Sequence, residues 1–366
     1  MVKKGENIYK RKDGRWEGRY IKERTSNNRI VYGSVYGKRY ADVKEKLTIV
    51  KAKQLETSFL FSTYETWMAN WLTITIKRKV KASTYSNYFR LTKRHILPNL
   101  GKKQLRELSE DQLQYFVDSL LAQDLSANTV RLIFTIVKQS INEAVRQKYI
   151  STNPCNFVQL PKHNQTEVSA LSIKEQKQLE KLAFKDPDCS PIILALYSGL
   201  RIGEISGLRW TDIDFEQNLI RVDRTVQRIL DEQNMKTKTQ LILTTPKTTQ
   251  SKRVIPLSAN LKEYLLEKRE KATSVYLIHS RNTLAEPRVI NYRFKKLIQE
   301  TSFSSIHFHV LRHTFATRCL EQGMDIASLS KILGHQSAKL TLDTYADSLL
   351  EHRHEEMKKI DLLFQK

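Results

Sequence analysis

The chain has 366 residues, 40% of them hydrophobic, which is enough for two or three domains with their own cores and too much for one small domain. Its 62 Lys and Arg outnumber 39 Asp and Glu for a net charge of +23, which points to a polyanionic partner, nucleic acid ahead of membrane. No run approaches the ~18 apolar residues of a spanning helix, and no apolar core follows the basic N-terminus as a secretory signal requires, so neither is expected.

The first fifty residues read as β-rich. Ile8–Arg11 leads into the turn Lys12-Asp13-Gly14, then Arg15–Ile21, a second turn at Ser26-Asn27-Asn28, and Ile30–Tyr36. A helix is expected from about Ala41, making residues 1–57 a basic three-stranded β-plus-helix module. Residues 1–53 carry 16 Lys and Arg against six Asp and Glu. Such a face, with Arg15, Trp16, Arg19 and Tyr20 as contacts, suits a DNA groove, although the aromatics serve equally well as the module's own core.

Residues 60–160 read as a four-helix bundle. Tyr64, Trp67, Met68, Trp71 and Leu72 form one apolar stripe. Thr84–Ile96 forms a second helix, Ser109-Glu110-Asp111-Gln112 caps a third, and Val130, Ile133, Phe134, Val137, Ile141 and Ala144 stripe a fourth. Lys77, Arg78, Lys79, Lys81, Arg90, Lys93 and Arg94 cluster around the second helix as candidate phosphate contacts, where a charge run is otherwise a solvated face. The polar, breaker-rich stretch 161–168 reads as a linker.

Residues 169–366 are mixed α and β. Ser172-Ile173-Lys174-Glu175 opens a helix as a capping box, Leu219–Val226 and Leu241–Pro256 alternate as strands of a small antiparallel sheet, and the remainder is mainly helical. The three cysteines, Cys155, Cys189 and Cys319, include no C-x-x-C pair, so a reduced, cytoplasmic setting is expected. Neither a phosphate-cradling G-x-x-x-x-G-K-[ST] loop nor an H-E-x-x-H helix occurs, and no metal, ATP or other cofactor is expected.

The chemistry sits in separated boxes. Arg201 follows Ser198-Gly199-Leu200, where a turn hands over to a helix, and Glu204 one turn later is placed to orient it. His309 and Arg312 are three apart and share a helix face; His313, one residue on, is expected to face elsewhere and is read as structural. Leu333-Gly334-His335 follows, and Tyr345 comes ten residues after His335. Two permanently charged guanidinium forks suit a phosphate, and a phenol with a pKa near 10 needs a base or a cationic pocket to become a nucleophile.

These boxes resemble the catalytic boxes of the tyrosine recombinase (phage integrase) family, most like the three-domain integrases of Gram-positive conjugative transposons and temperate phages. The resemblance is specific over 169–347 and weaker over residues 1–55. It implies Arg201, Lys247, His309, Arg312, His335 and the nucleophile Tyr345 as catalytic residues, with Glu204 supporting and no metal. Lys247, in Thr245-Pro246-Lys247-Thr248, matches the family's β-hairpin lysine acid, with Lys252 and Lys238 as lesser candidates.

It also implies arm-site and core-site binding of double-stranded DNA, and a homo-tetramer on two DNA sites. A docking segment around Leu349-Leu350 and Leu362-Leu363-Phe364 goes with that assembly, as do an excisionase-type directionality factor and a host DNA-bending protein. The implied activity is site-specific integration and excision of a mobile element on the bacterial nucleoid. A non-catalytic DNA-binding regulator accounts for the charge but not for the ordered boxes, and an RNA-binding module accounts only for the N-terminal strands. A type IB topoisomerase shares the chemistry without site choice.

Overall fold

Alternation near the N-terminus forms a three-stranded antiparallel sheet, β1 (Ile8–Lys10), β2 (Trp16–Arg24) and β3 (Ile30–Gly37), followed by α1 (Tyr40–Leu60). Period two sends Trp16, Gly18 and Tyr20 to one face of β2, and Glu17 and Arg19 to the other. Ile8, Val43 and Leu47 form the small core under the first face, with Trp16 and Tyr20 packed against it and Trp16 meeting Tyr40 edge-on at 5.2 Å. The aromatics expected as DNA contacts thus lie on the opposite face from Arg19, because the short module has few other large side chains to fill the space above α1.

The structure, a computed structural model, describes residues 7–24, 30–60, 63–162, 170–231, 239–244, 252–280, 283–335, 337–345 and 357. It divides into two units, Met1–Gln165 and Thr166–Lys366.

In the first unit, Thr63 caps α2 (Tyr64–Asn70), which runs through a π-helical turn at Trp71–Ile76 into α3 (Lys77–Lys79). α4 (Ala82–Leu91) likewise continues through a π-turn, Thr92–Ile96, into α5 (Leu97–Leu100). The expected single helix over 84–96 is therefore interrupted: the wider turn carries Leu91, Thr92, His95 and Ile96 inward together. Ser109 caps α6 (Glu110–Leu121) and Ser126 caps α7 (Ala127–Arg146). The Tyr64 hydroxyl lies 2.6 Å from Ser140 Oγ and the Trp67 ring N–H donates to Ser140 O, so the two buried aromatics pin α2 to α7 with their polar atoms satisfied.

The second unit opens with α8 (Ile173–Lys185), whose capping box between Ser172 and Glu175 is complete, followed by α9 (Ser190–Ser198) and α10 (Ile202–Gly207). β4 (Ile213–Asp214), β5 (Leu219–Val222), β6 (Thr225–Leu230), β7 (Thr239–Thr244) and β8 (Arg253–Pro256) come next. α11 (Ala259–Glu270), β9 (His279–Ser280), β10 (Thr283–Leu284) and α12 (Pro287–Ile298) precede α13 (His309–Glu321), α14 (Ile326–Leu333) and α15 (Ala338–Tyr345). α9 is apolar all round and is the hub of the main core.

The expected strands Leu219–Val226 and Leu241–Pro256 each divide between two sheets, β4-β5-β8 and β6-β7. The break on the outgoing side falls at Asp223-Arg224, where Arg224 leaves the ladder to hold Asp212 at 2.6 and 2.9 Å. Among the described residues no helix is long and apolar enough to cross a membrane.

Candidate active site

Gly199 ends α9 in the left-handed region, φ 64°, and a Cβ there would come within 2.5 Å of Phe315 Cδ1. Only glycine meets both conditions at low cost. The turn delivers Arg201 as the N-cap of α10, three residues before the buried Glu204. The Arg201 backbone N–H donates to Glu204 Oε2 at 2.9 Å, and its Nη1 donates to Oε1 at 2.9 Å, so the carboxylate fixes both the backbone and the head of the arginine.

Arg312 rises from α13 and is 2% exposed. It donates to Gly199 O at 2.7 Å and to Leu333 O at 2.6 Å. Arg201 Nη2 donates to Gly334 O at 3.3 Å, and Arg253 Nε on β8 donates to Ile332 O at 2.6 Å. Three successive carbonyls at the C-terminal end of α14 thus each accept a bond from a different arginine. The last carbonyls of a helix lack intrahelical donors and carry its negative dipole end, which offsets the repulsion among three clustered cations. Gly334 then turns the chain left-handed, φ 65°, and delivers His335, whose Nδ1 lies 2.8 Å from Oγ1 of the buried Thr341 on α15.

His309 stands at the first turn of α13 with an exposed edge, its ring 4.9 Å from that of His313 and edge-on to it. His313, expected to face elsewhere, shares its side of the helix because residues four apart do. Burial of the ring's inner part, then His313, Arg312 and Arg201, hold His309 well below the ordinary imidazole value. Burial, then Arg312, Arg201 and Arg253, push His335 down to about 4. Burial alone would raise Glu204, but Arg253's hydrogen bonds and charge, with Arg201's, outweigh it and bring the carboxyl down to about 2. The site is therefore a cluster of three guanidiniums, one carboxylate and neutral imidazoles.

The structure gathers Arg201, Glu204, Arg312 and His335 in direct bonds around one helix end, with His309 one turn before Arg312's level on the same helix. The backbone of Tyr345 closes α15, four residues after Thr341; its side chain lies outside the described atoms. Lys247 and Lys238 lie outside the described residues, as do Leu349, Leu350, Leu362, Leu363 and Phe364, whereas Lys252 is exposed just before β8.

Sequence reasoning missed Arg253 and Thr341. Arg253 had a legible mark: it shares parity with inward Ile255 on β8, so an arginine falls on the apolar side of a strand. Thr341 shows only its spacing from His335 and Tyr345.

Away from this cluster, Arg15 and Arg19 are exposed, and Glu17 gathers Arg11 at 2.8 Å and Arg19 at 2.9 Å on the outer face of the N-terminal sheet. The Arg19, Ser34 and Arg11 bonds bring Glu17 down to about 2. Arg11 and Arg15 lie over the exposed Tyr36 ring, with Tyr9 and Tyr32 also exposed. Lys77, Arg78, Lys79, Lys81, Arg90, Lys93 and Arg94 are all exposed on the helical bundle.

Comparison with known proteins is consistent along the chain. A 28% identical relative, the tyrosine recombinase XerC-like protein of Caldanaerobacter subterraneus subsp. tengcongensis, aligns over 93% of this chain and 94% of its own length. The transposase from transposon Tn916 of Enterococcus faecalis is 26% identical over 72% of this chain and 69% of its length.

Among solved structures, the Tn1549 transposon integrase in complex with a circular intermediate DNA superposes with a TM-score of 0.68 at 21% identity, covering 82% of this chain and 99% of that one. A lambda integrase dimer bound to a COC' core site gives 0.61 at 18%, covering 92% and 94%. A model of the phage integrase N-terminal SAM-like domain matches residues 63–121, and the phage integrase family model matches residues 168–352, the half of the chain that holds the arginine cluster. The chain belongs to the phage integrase family, and it is a tyrosine recombinase, an enzyme that cuts and rejoins DNA at specific sites.

Proposed function

We propose that this recombinase integrates and excises a mobile element, with Tyr345 as nucleophile and Arg201 and Arg312 as the phosphate clamp. The observation that carries the reading is the convergence of Arg201 and Arg312, from distant segments, on the end of α14, where Gly334 turns the chain to present His335. Guanidinium forks aimed at one phosphate stabilise the charge of a pentacoordinate transition state.

The Tyr345 oxygen forms a bond to phosphorus as the bond to the 5′ oxygen breaks. His309, neutral in its cationic surroundings, takes the phenol proton, and Lys247 gives a proton to the departing 5′ oxygen. His335 hydrogen-bonds the phosphate. The 3′-phosphotyrosyl bond retains the energy of the phosphodiester, so a 5′-hydroxyl from the second DNA site reverses the step without ATP. Acid–base help of this kind is worth roughly 10²- to 10⁴-fold per group.

The basic bundle residues Lys77, Arg78, Lys79, Lys81, Arg90, Lys93 and Arg94 are assigned to core-site phosphates. The outer sheet face with Arg11, Arg15, Arg19 and Tyr36 is assigned to arm-type sites. Four protomers on two sites, the C-terminal docking segment, a directionality factor, a host DNA-bending protein and a place on the bacterial nucleoid complete the reading. The relatives' names, a transposon transposase and a transposon integrase, support a mobile element as the substrate.

The test is to incubate the protein and Tyr345→Phe with nicked duplexes carrying candidate element ends, in EDTA and without ATP. A covalent adduct on a denaturing gel that disappears in Tyr345→Phe, while DNA binding persists, is the expected result. No adduct on DNA that is demonstrably bound overturns the catalytic roles and leaves a DNA-binding regulator.

A further inference from the structure

Three arginines meet the end of α14, and the mechanism above uses two. We propose that the third, Arg253, is a positioning residue for strand cleavage, holding Glu204 and the Ile332–His335 turn so that Arg201 and His335 meet the phosphate together. The inference rests on the catalytic reading above.

Arg253 is 8% exposed and sits behind Glu204. Its Nη1 donates to Glu204 Oε1 at 3.0 Å and its Nη2 to Oε2 at 2.9 Å, two parallel bonds of a fork on a carboxylate. Arg201 donates one bond to each of the same two oxygens. A carboxylate has about four lone-pair sites, so Glu204 is filled from both sides and neither arginine moves without disturbing the other.

The third bond of Arg253, Nε to Ile332 O, grips the residue two before Gly334. Gly334 itself lies so close that a Cβ would approach Arg253 Cδ to 2.9 Å. One side chain therefore joins the α10 N-terminus to the turn that presents His335. It does so from β8, whose first residue follows the lysine assigned as acid by six positions.

A buried ion pair is an indifferent device for stability alone, since apolar residues of the same volume commonly serve as well. Its position between two phosphate-directed groups is what a stabilising role leaves unexplained. The charge of Arg253 also acts on His335, adding to the cations that keep that imidazole neutral.

The full-length protein, Arg253→Lys, Arg253→Met and Arg201→Ala are compared for adduct formation on nicked duplexes carrying the element ends. Two forms of each duplex are used, one with an ordinary scissile phosphate and one with a methylphosphonate there. Loss of an orienting partner typically lowers activity roughly 10- to 100-fold, and both Arg253 variants are expected in that range with gel-shift affinity retained.

On the methylphosphonate, where the oxygen charge that Arg201 neutralises is gone, the deficits of Arg253 and Arg201 variants shrink together. A folded Arg253 variant that cleaves like the unsubstituted protein overturns the inference, and so does an equal deficit on both substrates, which marks a purely structural residue. Arg253→Lys, which keeps charge and reach but loses the fork, decides alone if circular dichroism shows Arg253→Met unfolded. No adduct from the unsubstituted protein overturns the catalytic reading and this inference with it, a result distinct from normal cleavage by the variants.

Discussion

Thr341 Oγ1 lies 2.8 Å from His335 Nδ1, and the threonine is fully buried, so this bond is shielded from water. Binding one ring nitrogen settles the orientation of the imidazole and leaves Nε2 as the nitrogen available to a phosphate. Because Thr341 sits four residues before Tyr345 on α15, the same bond ties the helix carrying the proposed nucleophile to the histidine.

Thr341→Val removes the hydroxyl at nearly constant volume. Adduct formation is expected to fall roughly 10- to 100-fold, as for other lost orienting partners, with DNA affinity unchanged. Stability falls by about 1–3 kcal/mol for the polar partner left behind. Thr341→Ser retains most of the activity. Single-turnover cleavage of the three proteins checks this, and full activity in the valine variant would remove the bond from the mechanism.

Acidification should destabilise the chain in a window set by the histidines. An unfolded imidazole titrates near 6.5, whereas His335 is held at about 4, first by burial and then by Arg312, Arg201 and Arg253. Between those values the unfolded chain binds more protons, so the stability from a neutral His335 is complete above the unfolded value and is lost as pH falls toward the folded one. Melting temperatures across this range should decline on acidification, less steeply in His335→Asn. Arg201→Ala, by removing a neighbouring cation, should raise the histidine pKa values read by NMR; a fall would contradict the electrostatic picture.

Gly199→Ala forces a side chain into left-handed backbone and into Phe315. The cost is at least about 1 kcal/mol from the backbone, with the steric contact in addition. Because Gly199 O is an acceptor of Arg312, cleavage should drop more than the melting temperature implies. Thermal unfolding and adduct formation measured on one preparation separate the two effects.

In the N-terminal module, Trp16→Ala should loosen the packing on α1, a loss of about 2 kcal/mol for a partly buried large aromatic. Arg19→Ala and Tyr36→Ala, on the outer face, should leave the module folded and weaken DNA binding. Each lost phosphate contact lowers the salt slope of log K by about 0.9. Hydrogen exchange and salt-dependent binding tell these apart, and a folding defect in Arg19→Ala without a binding defect would reverse the assignment of the faces.

Much of the architecture is legible because it is local. Period two in Trp16–Ile21, the stripe Tyr64–Leu72 and the Ser172–Glu175 cap each concern a few neighbouring residues, and the corresponding elements formed. The π-turns at 71–76 and 92–96 were not legible, since an extra residue in a turn leaves every apolar residue in place and alters only which ones coincide. The assignment of Trp16 and Tyr20 to a face depended on where α1 lies, which strand alternation cannot say.

At the site, residue chemistry and order along the chain carried the resemblance to the family and pointed to the arginine and histidine boxes and the candidate nucleophile, because a phosphodiester needs cations and a nucleophile of recognisable types. Tertiary structure decided what holds those groups in place. Arg253 and Thr341 act through bonds to residues far from them in sequence or on another element, and Ile332, Leu333 and Gly334 contribute backbone carbonyls that every residue possesses. A carbonyl becomes an arginine clamp only where a helix ends, and which arginines reach it is a property of the packed fold.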